Sequence, residues 1–210
     1  SPFVFRLSPF KGHAMTIQYA YVDRLQAQKM KRYPTKVINI IGGPGCEKSF
    51  YSSVLVLWLH QRNKTVEMVP DYAKSLVWQQ DFEALKNQHH IAMQQHRMLT
   101  VLNGQVQFII NECSLPQLLY YNEYYEENIC DVKKTAAQIY AWHKEFDNVN
   151  MVVQRDLDRP YNPTGRFQDE NKAREMDKLI RNTLVYHGIK YTLVAPVQAD
   201  IEAFAQAYLT

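Results

Sequence analysis

The 210-residue chain has few cysteines, little excess charge and no long apolar run. Its three cysteines are an odd number without a C-x-x-C pair, so neither a disulfide framework nor a zinc finger has support, and a reducing compartment suits them. A net charge of +3 is too small to argue for nucleic-acid binding. The longest uncharged apolar stretch, around residues 54–59, is far short of the roughly 20 residues that span a bilayer. We therefore expect a soluble, cytoplasmic protein with neither a membrane nor a nucleic acid as partner, and its oligomeric state stays open.

What the chain does have is apolar content, 46% of its residues, which suffices for the core of one α/β domain with an inserted lid. Residues 1–33 mix aromatic and basic side chains without the sustained apolar segment of a signal peptide. We interpret them as an N-terminal extension or arm. Residues 34–210 are predicted to form the domain, with its lid at about residues 155–170.

The most informative motif is a phosphate-binding loop with one residue out of pattern. The pattern G-x-x-x-x-G-K-[ST] is met at Gly42, Lys48 and Ser49, but a glutamate stands where the second glycine belongs. Residues 36–41 predict a buried strand before the loop, and residues 49–59 predict a helix after it. In such a loop, backbone N–H groups wrap a phosphate, the lysine neutralises its oxygens and the serine hydroxyl binds Mg²⁺. The predicted nucleotide contacts are Gly42, Gly43, Gly45, Cys46, Glu47, Lys48, Ser49 and Phe50.

Glu47, the residue out of pattern, leaves two hypotheses open. A glycine adopts left-handed backbone angles freely and lets its amide approach the phosphate, whereas a glutamate brings bulk and a like charge. The left-handed conformation costs a non-glycine residue on the order of 1–2 kcal/mol, and about 1.4 kcal/mol weakens binding tenfold. The loop therefore predicts either a working nucleotide site or an impaired one.

Two later strands end in carboxylates. Residues 65–69 alternate and stop at a proline, so Asp71 lies at the strand tip, where ligands bind in open α/β sheets. Asp71 is either the N-cap of the next helix or a carboxylate that holds or deprotonates an acceptor hydroxyl, and it can do both. Residues 106–110 predict a third strand, and Glu112 just after it suits a Mg²⁺ role beside Ser49. The alternative is that Glu112 caps the next segment.

A helix predicted at residues 85–101 carries a polar face. From this face Gln95 and Arg97 are expected to approach a substrate base or phosphate. His89 and His96 share the face, but they lack a third ligand at metal spacing, so we interpret them as solvated and not as zinc ligands.

The segment of residues 118–127 is rich in tyrosine. Helical spacing brings Tyr121 and Tyr125 together, which is more typical of packing than of a stacking site. One ring stacked on an acceptor base is the alternative.

The second informative segment follows the fourth predicted strand. Its proline, glycine and asparagine content, with arginines among them, is typical of a lid, and the planar guanidinium binds phosphate oxygens bidentately. We expect Arg159, Arg166 and Arg174 to contact phosphate. A fifth strand is predicted at residues 190–194, and Asp200 is predicted to cap the last helix.

Four motifs occur in sequence order. They are Gly42-Gly43-Pro44-Gly45-Cys46 with Lys48-Ser49, Val69-Pro70-Asp71-Tyr72-Ala73-Lys74, Glu112-Cys113-Ser114-Leu115, and Arg159-Pro160-Tyr161-Asn162-Pro163-Thr164-Gly165-Arg166. Together they resemble the P-loop nucleoside and nucleotide kinases, in particular a branch of small AAA proteins, often phage-encoded, related to the ribosylnicotinamide kinase domain of bacterial NAD regulators. The resemblance covers roughly residues 33–210. It implies an α/β P-loop NTPase fold, a three-layer sandwich whose five-stranded parallel sheet has the order 2-3-1-4-5, with ATP as donor, Mg²⁺ and an arginine-bearing lid.

The resemblance also implies roles for individual residues. Lys48 and Ser49 hold phosphate and metal, Asp71 and Lys74 face the acceptor, Glu112 stands at the metal, and Arg159 and Arg166 are the lid arginines. The sequence departs from the family pattern at Glu47, Phe50, Lys74 and Glu112.

Our leading hypothesis is an ATP-dependent kinase of a nucleotide or nucleoside, most specifically a (deoxy)nucleoside monophosphate. One alternative is a catalytically impaired protein that keeps the fold and acts by nucleotide binding or interaction. Another is a nucleoside kinase of the ribosylnicotinamide type.

Overall fold

The computed structural model describes residues 31–162 and 169–210. Within these ranges the chain forms five strands and eight helices. The strands are β1 (Lys36–Ile41), β2 (Val66–Val69), β3 (Phe108–Asn111), β4 (Asp147–Val153) and β5 (Thr192–Val194). The helices are α1 (Lys48–His60), α2 (Tyr72–Gln79), α3 (Phe82–Leu85), α4 (Gln88–Leu102), α5 (Leu115–Tyr124), α6 (Val132–His143), α7 (Glu170–Tyr186) and α8 (Gln198–Tyr208).

The five strands form one parallel sheet of order β2-β3-β1-β4-β5. The predicted strand order is therefore confirmed. Because all strands run in one direction, the carboxyl ends of β1, β2 and β3 meet at a single edge. The loop that begins at Gly42 after β1 and the residues that follow β2 and β3 therefore lie at this edge.

Helices cover both faces of the sheet because β1 buries side chains on both sides. Val37 and Ile41 belong to the core cluster shared with α2, α4, α5, α6 and α7. Ile38 and Ile40 belong to the cluster shared with α1 and α8. The result is the predicted three-layer sandwich.

A chain of buried amide side chains crosses the centre of the sheet. Asn39 on β1 accepts a hydrogen bond from Asn111 Nδ2 on β3 at 2.9 Å and donates to Asn150 Oδ1 on β4 at 2.8 Å. Gln95 on α4 extends the chain by donating to Asn111 Oδ1 at 2.9 Å. A register slip would leave these buried amides unpaired, so the chain of bonds fixes how the three strands align.

Two local predictions differ from the structure. The helix predicted at residues 85–101 is present as α4, but it begins three residues later than predicted because the Asn87 side chain accepts from the His90 N–H and caps it. Asp200 does not cap the last helix: α8 begins after Val197, which makes no side-chain cap, and Asp200 lies in the first turn. There its charge still favours the positive end of the helix dipole.

The histidines of α4 are packed and not solvated as predicted. His96 stacks on Trp142 with ring centroids 4.9 Å apart and approaches Glu145 Oε2 to 2.8 Å. The His89 ring lies 5.5 Å from the same tryptophan. These contacts attach α4 to α6.

No helix in the described part of the chain has the length and apolar character needed to cross a bilayer.

We predict that His143 makes stability fall in mild acid. Burial lowers the pKa of His143 from 6.5 to about 4. At pH values between these two pKa values, His143 is protonated in the unfolded chain and neutral in the folded chain. The free energy of unfolding therefore falls as the pH drops from about 6.5 to about 4. Between pH 7 and pH 5 this contribution is about 2 kcal/mol.

Urea unfolding of the wild type and of His143→Leu at the two pH values measures this effect. The free energy of unfolding of His143→Leu should fall less between pH 7 and pH 5 than that of the wild type. In His60→Leu, which changes an exposed histidine, it should fall as much as in the wild type. Equal losses in His143→Leu and wild type would contradict the prediction.

Candidate active site at the phosphate loop

The loop between β1 and α1 has the backbone of a phosphate-binding turn. Gly45 has a φ of 86°, in the left-handed region that favours glycine. A Cβ at Gly45 would lie 2.8 Å from the Tyr161 ring, and a Cβ at Gly43 would lie 2.3 Å from Asp177 Oδ1. Both glycines are therefore required by close neighbours, Tyr161 from the segment after β4 and Asp177 from α7.

Glu47 takes the left-handed conformation that the motif reserves for glycine, with a φ of 54° and a ψ of 31°. Its side chain makes no capping hydrogen bond to α1, so the start of the helix keeps amides available for an anion. The carboxylate instead reaches towards Arg159, with Glu47 Oε2 and Arg159 Nη1 3.8 Å apart. Arg159 also lies 3.8 Å from Asp156. The guanidinium therefore partly offsets the like charge that Glu47 brings to a phosphate site.

Lys48 and Ser49 open α1 beneath this loop. Lys48 Nζ donates to Gly42 O at 2.8 Å and to Gly43 O at 3.2 Å, which holds the ammonium inside the loop. Ser49 is exposed, and Phe50 is 47% exposed, unusual for so apolar a ring. The cation, the hydroxyl and the aromatic ring thus surround the open end of the helix.

A buried ion pair, which sequence spacing did not predict, holds the backbone of the phosphate loop. Arg155, just after β4, and Asp177, on α7, are joined by a 2.7 Å contact, and their side chains are only 8% and 13% exposed. Asp177 Oδ1 also accepts from the Gly43 N–H at 3.0 Å and from Cys46 Sγ at 3.3 Å. Arg155 donates to Pro44 O at 2.7 Å. Asp177 follows the apolar Met176 on a mostly polar helix, so sequence spacing carried no signal for this role.

The same environment suppresses ionisation of the loop cysteine. Burial, followed by the negative charge of Asp177, raises the pKa of Cys46 from 9.0 to about 11. The thiol therefore stays protonated at neutral pH and serves as a hydrogen-bond donor to Asp177.

A cavity of about 290 Å³ opens beside the loop. It lies between α1, the residues after β2 and β3, and the apolar faces of α2, α4 and α5. Three residues predicted from the strand ends, Asp71, Lys74 and Glu112, line it together with Lys48 and Ser49. The further lining residues are Pro44, Gly45, Glu47, Phe50, Ala73, Val77, Leu85, Gln88, Ile91, Cys113, Leu118, Tyr121 and Tyr125.

Glu112 has the features expected of a carboxylate that meets a cation. It is 7% exposed, it lines the cavity, and its Oε1 has no hydrogen-bond partner among the described residues. The alternative role, capping the next helix, belongs to Ser114, whose side chain accepts from the Gln117 N–H. In the described ranges no three histidine, cysteine or acidic side chains converge as a metal cage. A Mg²⁺ ion at this position would therefore take most of its ligands from nucleotide and water oxygens, and Ser49 and Glu112 stay the predicted protein ligands.

Asp71 combines a structural contact with a place on the cavity wall. Its Oδ1 accepts from the Lys74 N–H at 3.1 Å, so the predicted N-cap of α2 is confirmed. Burial, reinforced by the charge of Asp71, raises the pKa of Cys113 well above 9.0, and the thiol hydrogen-bonds to Asp71. Burial and the same carboxylate also raise the pKa of Tyr121. Both side chains are therefore neutral beside Asp71, and the Cys113 thiol donates a hydrogen bond to it.

Four predicted substrate or lid residues lie away from the cavity or outside the described chain. Gln95 is fully buried in the amide chain at the sheet centre. Arg97 is exposed on α4 and does not line the cavity. Arg174 contacts Glu170 at 2.7 Å on the exposed side of α7. Arg166 lies outside the residues that the structure describes.

The strand, glycine loop and lysine-serine helix start, placed on β1 of this parallel sheet, define a P-loop NTPase fold. Residues 37–203 match the family model of an AAA domain, and the chain belongs to this family. A search of the curated proteins finds no match.

Two solved structures show the same fold. The crystal structure of NadR protein in complex with NAD and AMP-PNP superposes with a TM-score of 0.63 at 11% identity, covering 93% of this chain and 58% of that one. The structure of NadR in complex with NR gives a TM-score of 0.65 at 10% identity, covering 93% of this chain and 60% of that one. This chain therefore spans less than two thirds of the NadR chains that it resembles.

We predict that Asp177→Ala strongly destabilises the protein. Removing the carboxylate leaves the Arg155 guanidinium buried without its counter-ion, which costs about 3–5 kcal/mol in the free energy of unfolding. The matched control is Glu170→Ala, which breaks an exposed ion pair of the same helix and should cost less than about 1 kcal/mol. Denaturant unfolding of the two variants measures both effects, and similar small losses would show that the buried pair does not support the loop.

Proposed function

We propose that the protein is an ATP-dependent kinase that transfers the γ-phosphoryl group to a hydroxyl of a nucleoside or nucleotide. One observation carries the proposal: the phosphate loop and the strand-end carboxylates Asp71 and Glu112 line one continuous cavity. A site with a phosphate-binding end and a carboxylate-lined pocket beside it has the two halves that phosphoryl transfer between two small molecules requires.

The donor half is the loop and the start of α1. The amides at the helix start and Lys48 would bind the β- and γ-phosphate oxygens, and Lys48 would exchange its contacts to Gly42 and Gly43 for them. Mg²⁺ held by Ser49 and Glu112 would supply further neutralisation of phosphate charge. Arg159, held 3.8 Å from Glu47, is near enough to the loop to approach the transferred group.

The acceptor half centres on Asp71. One of its oxygens caps α2, which leaves the other to accept a proton from an acceptor hydroxyl. In the transfer, the hydroxyl oxygen forms a bond to the γ-phosphorus, the bond to the β,γ-bridging oxygen breaks, and ADP leaves. The hydroxyl proton passes to Asp71. The protonated Cys113 thiol donates to this carboxylate, and neither Cys113 nor Tyr121 competes with it for the role of base.

The charges around the cavity favour a nucleoside over a monophosphate as acceptor. Lys48 and Lys74 are the only cations among the described lining residues, and Lys48 belongs to the donor half. The acceptor half otherwise presents carboxylates, the uncharged side chains of Gln88 and Cys113, and apolar or aromatic side chains. A monophosphate acceptor is the second candidate, and Lys74 is the observation that supports it.

The comparisons support the same class of chemistry. The NadR structures carry AMP-PNP in one case and NR in the other. By analogy of fold, the loop here would bind an adenine nucleotide and the cavity a nucleoside. The competing hypothesis, a nucleotide-binding protein that has lost its chemistry, rests on Glu47.

Turnover with a panel of acceptors tests the proposal. The purified protein is incubated with ATP, Mg²⁺ and one ribonucleoside, deoxynucleoside, nicotinamide riboside or nucleoside monophosphate at a time, and ADP formation is measured. We expect acceptor-dependent ADP formation with at least one nucleoside. No acceptor-dependent turnover would refute the proposal.

We predict that two substitutions separate the roles of the two halves. Lys48→Ala should lower kcat/KM at least about a hundredfold because the phosphate charge loses its cation. Asp71→Asn keeps an oxygen to cap α2 but removes the base, so kcat should fall about a hundredfold or more with stability unchanged. Lys178→Ala, at an exposed position on α7, should leave the kinetics unchanged. Full activity in Asp71→Asn would exclude Asp71 as the base.

We predict that Glu47→Gly increases both stability and ATP affinity. Glycine relieves the left-handed strain, which favours the folded state by about 1 kcal/mol at most because glycine also loses more backbone entropy on folding. Removal of the carboxylate should tighten ATP binding by up to about tenfold. Gln80→Gly relieves the same strain at a φ of 57° outside the cavity lining, so it should change stability but not affinity.

Thermal unfolding and calorimetric titration with ATP measure the two quantities. ATP binding by the wild type together with tighter binding by Glu47→Gly supports a working site. Binding by Glu47→Gly alone would favour the impaired protein, and equal affinities would show that the carboxylate does not face the phosphate.

A further inference from the structure

The acceptor half of the cavity contains one polar side chain that the proposed reaction does not use. Gln88, the first residue of α4, lines the cavity and is only 4% exposed. Around it the cavity wall is apolar or aromatic, with Leu85, Ile91 and Tyr121 among the lining residues. A polar group placed in such a wall generally serves to orient a ligand.

The hydrogen bonds of Gln88 leave its carbonyl oxygen unused. Gln88 Nε2 donates to Leu85 O at 2.7 Å, and only the amide nitrogen can make this bond, so the orientation of the side-chain amide is set by chemistry. Gln88 Oε1 has no hydrogen-bond partner among the described residues. It is also absent from the set of their polar atoms that lack both a partner and solvent-accessible surface. The oxygen therefore retains accessible surface, in a residue that lines the cavity.

We infer that Gln88 is a specificity-determining residue whose carbonyl oxygen accepts a hydrogen bond from an amino or carboxamide N–H on the ring of the acceptor. This inference rests on the proposed function for the identity of the site as an acceptor pocket. It adds the class of acceptor: a heteroaromatic nucleoside with an exocyclic N–H donor.

The aromatic residues around the cavity fit a planar ring. Phe50, Tyr121 and Tyr125 all line it, and aromatic side chains offer flat apolar surface on which a base can stack. An aliphatic acceptor would gain nothing specific from these rings. A ring without an N–H donor would leave Gln88 Oε1 buried and unpaired, and a ring carboxylate would place a negative charge against it.

Binding of matched nucleoside pairs to the full chain, without ATP, tests the inference separately from turnover. The pairs differ mainly in the exocyclic donor: adenosine and purine riboside, cytidine and its 4-deamino analogue, nicotinamide riboside and nicotinic acid riboside. For at least one pair, calorimetry on the wild type should show about tenfold tighter binding of the member with the donor. Because this comparison uses the unaltered protein, it does not depend on whether a variant folds.

The variant Gln88→Met keeps the length of the side chain and removes its oxygen. The preference within the pair should fall to less than about twofold in Gln88→Met. The matched control Gln79→Met changes an exposed glutamine outside the cavity lining and should retain the wild-type preference. Thermal unfolding checks that both variants are folded.

The outcomes separate this inference from the proposed function. A Gln88-dependent preference without any phosphoryl transfer would support the inference and refute the kinase. Turnover with a nucleoside that carries the donor would support the kinase. If Gln88→Met then prefers this nucleoside over its donor-free partner as strongly as the wild type does, the inference is overturned. Failure of all six nucleosides to bind at millimolar concentration would overturn it as well.

Discussion

The parallel pairing of β1 with β3 on one side and β4 on the other is the constraint on which the rest of the structure depends. It places the phosphate loop after β1 next to Glu112 after β3, and the addition of β2 brings Asp71 to the same edge. The hydrogen-bonded chain through Asn39 fixes the alignment of these strands because buried amides are costly to leave unpaired. The site is therefore a consequence of strand order and register.

A second constraint acts on the loop itself. The loop carbonyls and amides are held by groups distant in sequence: Asp177 accepts from Gly43, Arg155 donates to Pro44, and Gln117 accepts from Gly42 at 3.1 Å. These partners come from α7, from the end of β4 and from α5. The phosphate loop is thereby joined to the segment after β4 on one side and, on the other, to α5, whose Leu118 and Tyr121 line the cavity. A change of conformation in either neighbour would be transmitted to the loop through hydrogen bonds and not through flexible packing.

Glu47 illustrates how a departure from a motif can be accommodated. The backbone keeps the left-handed geometry that glycine would supply, and the extra carboxylate turns towards Arg159. Both side chains of this pair are partly exposed, so the attraction between them is weak and screened by solvent. The loop therefore retains its shape at the cost of some backbone strain. Arg159, which is expected to contact a phosphate, lies close to the Glu47 carboxylate, which would compete with the phosphate for the guanidinium.

The sequence alone determined the strands, the phosphate loop and the strand-end carboxylates Asp71 and Glu112, because these depend on local periodicity and on residue types at short spacing. The strand order was predicted from the resemblance to the P-loop kinases and not from these local patterns. Only the tertiary structure decided which polar residues share the cavity. Gln95 and Arg97 follow the same polar face of one helix, yet Gln95 is enclosed at the sheet centre and Arg97 is exposed, while Gln88 lines the pocket. Asp177 supports the loop from 134 residues away. Such contacts join residues far apart in the chain, and the packing of helices on the sheet, which local spacing does not encode, brings them together.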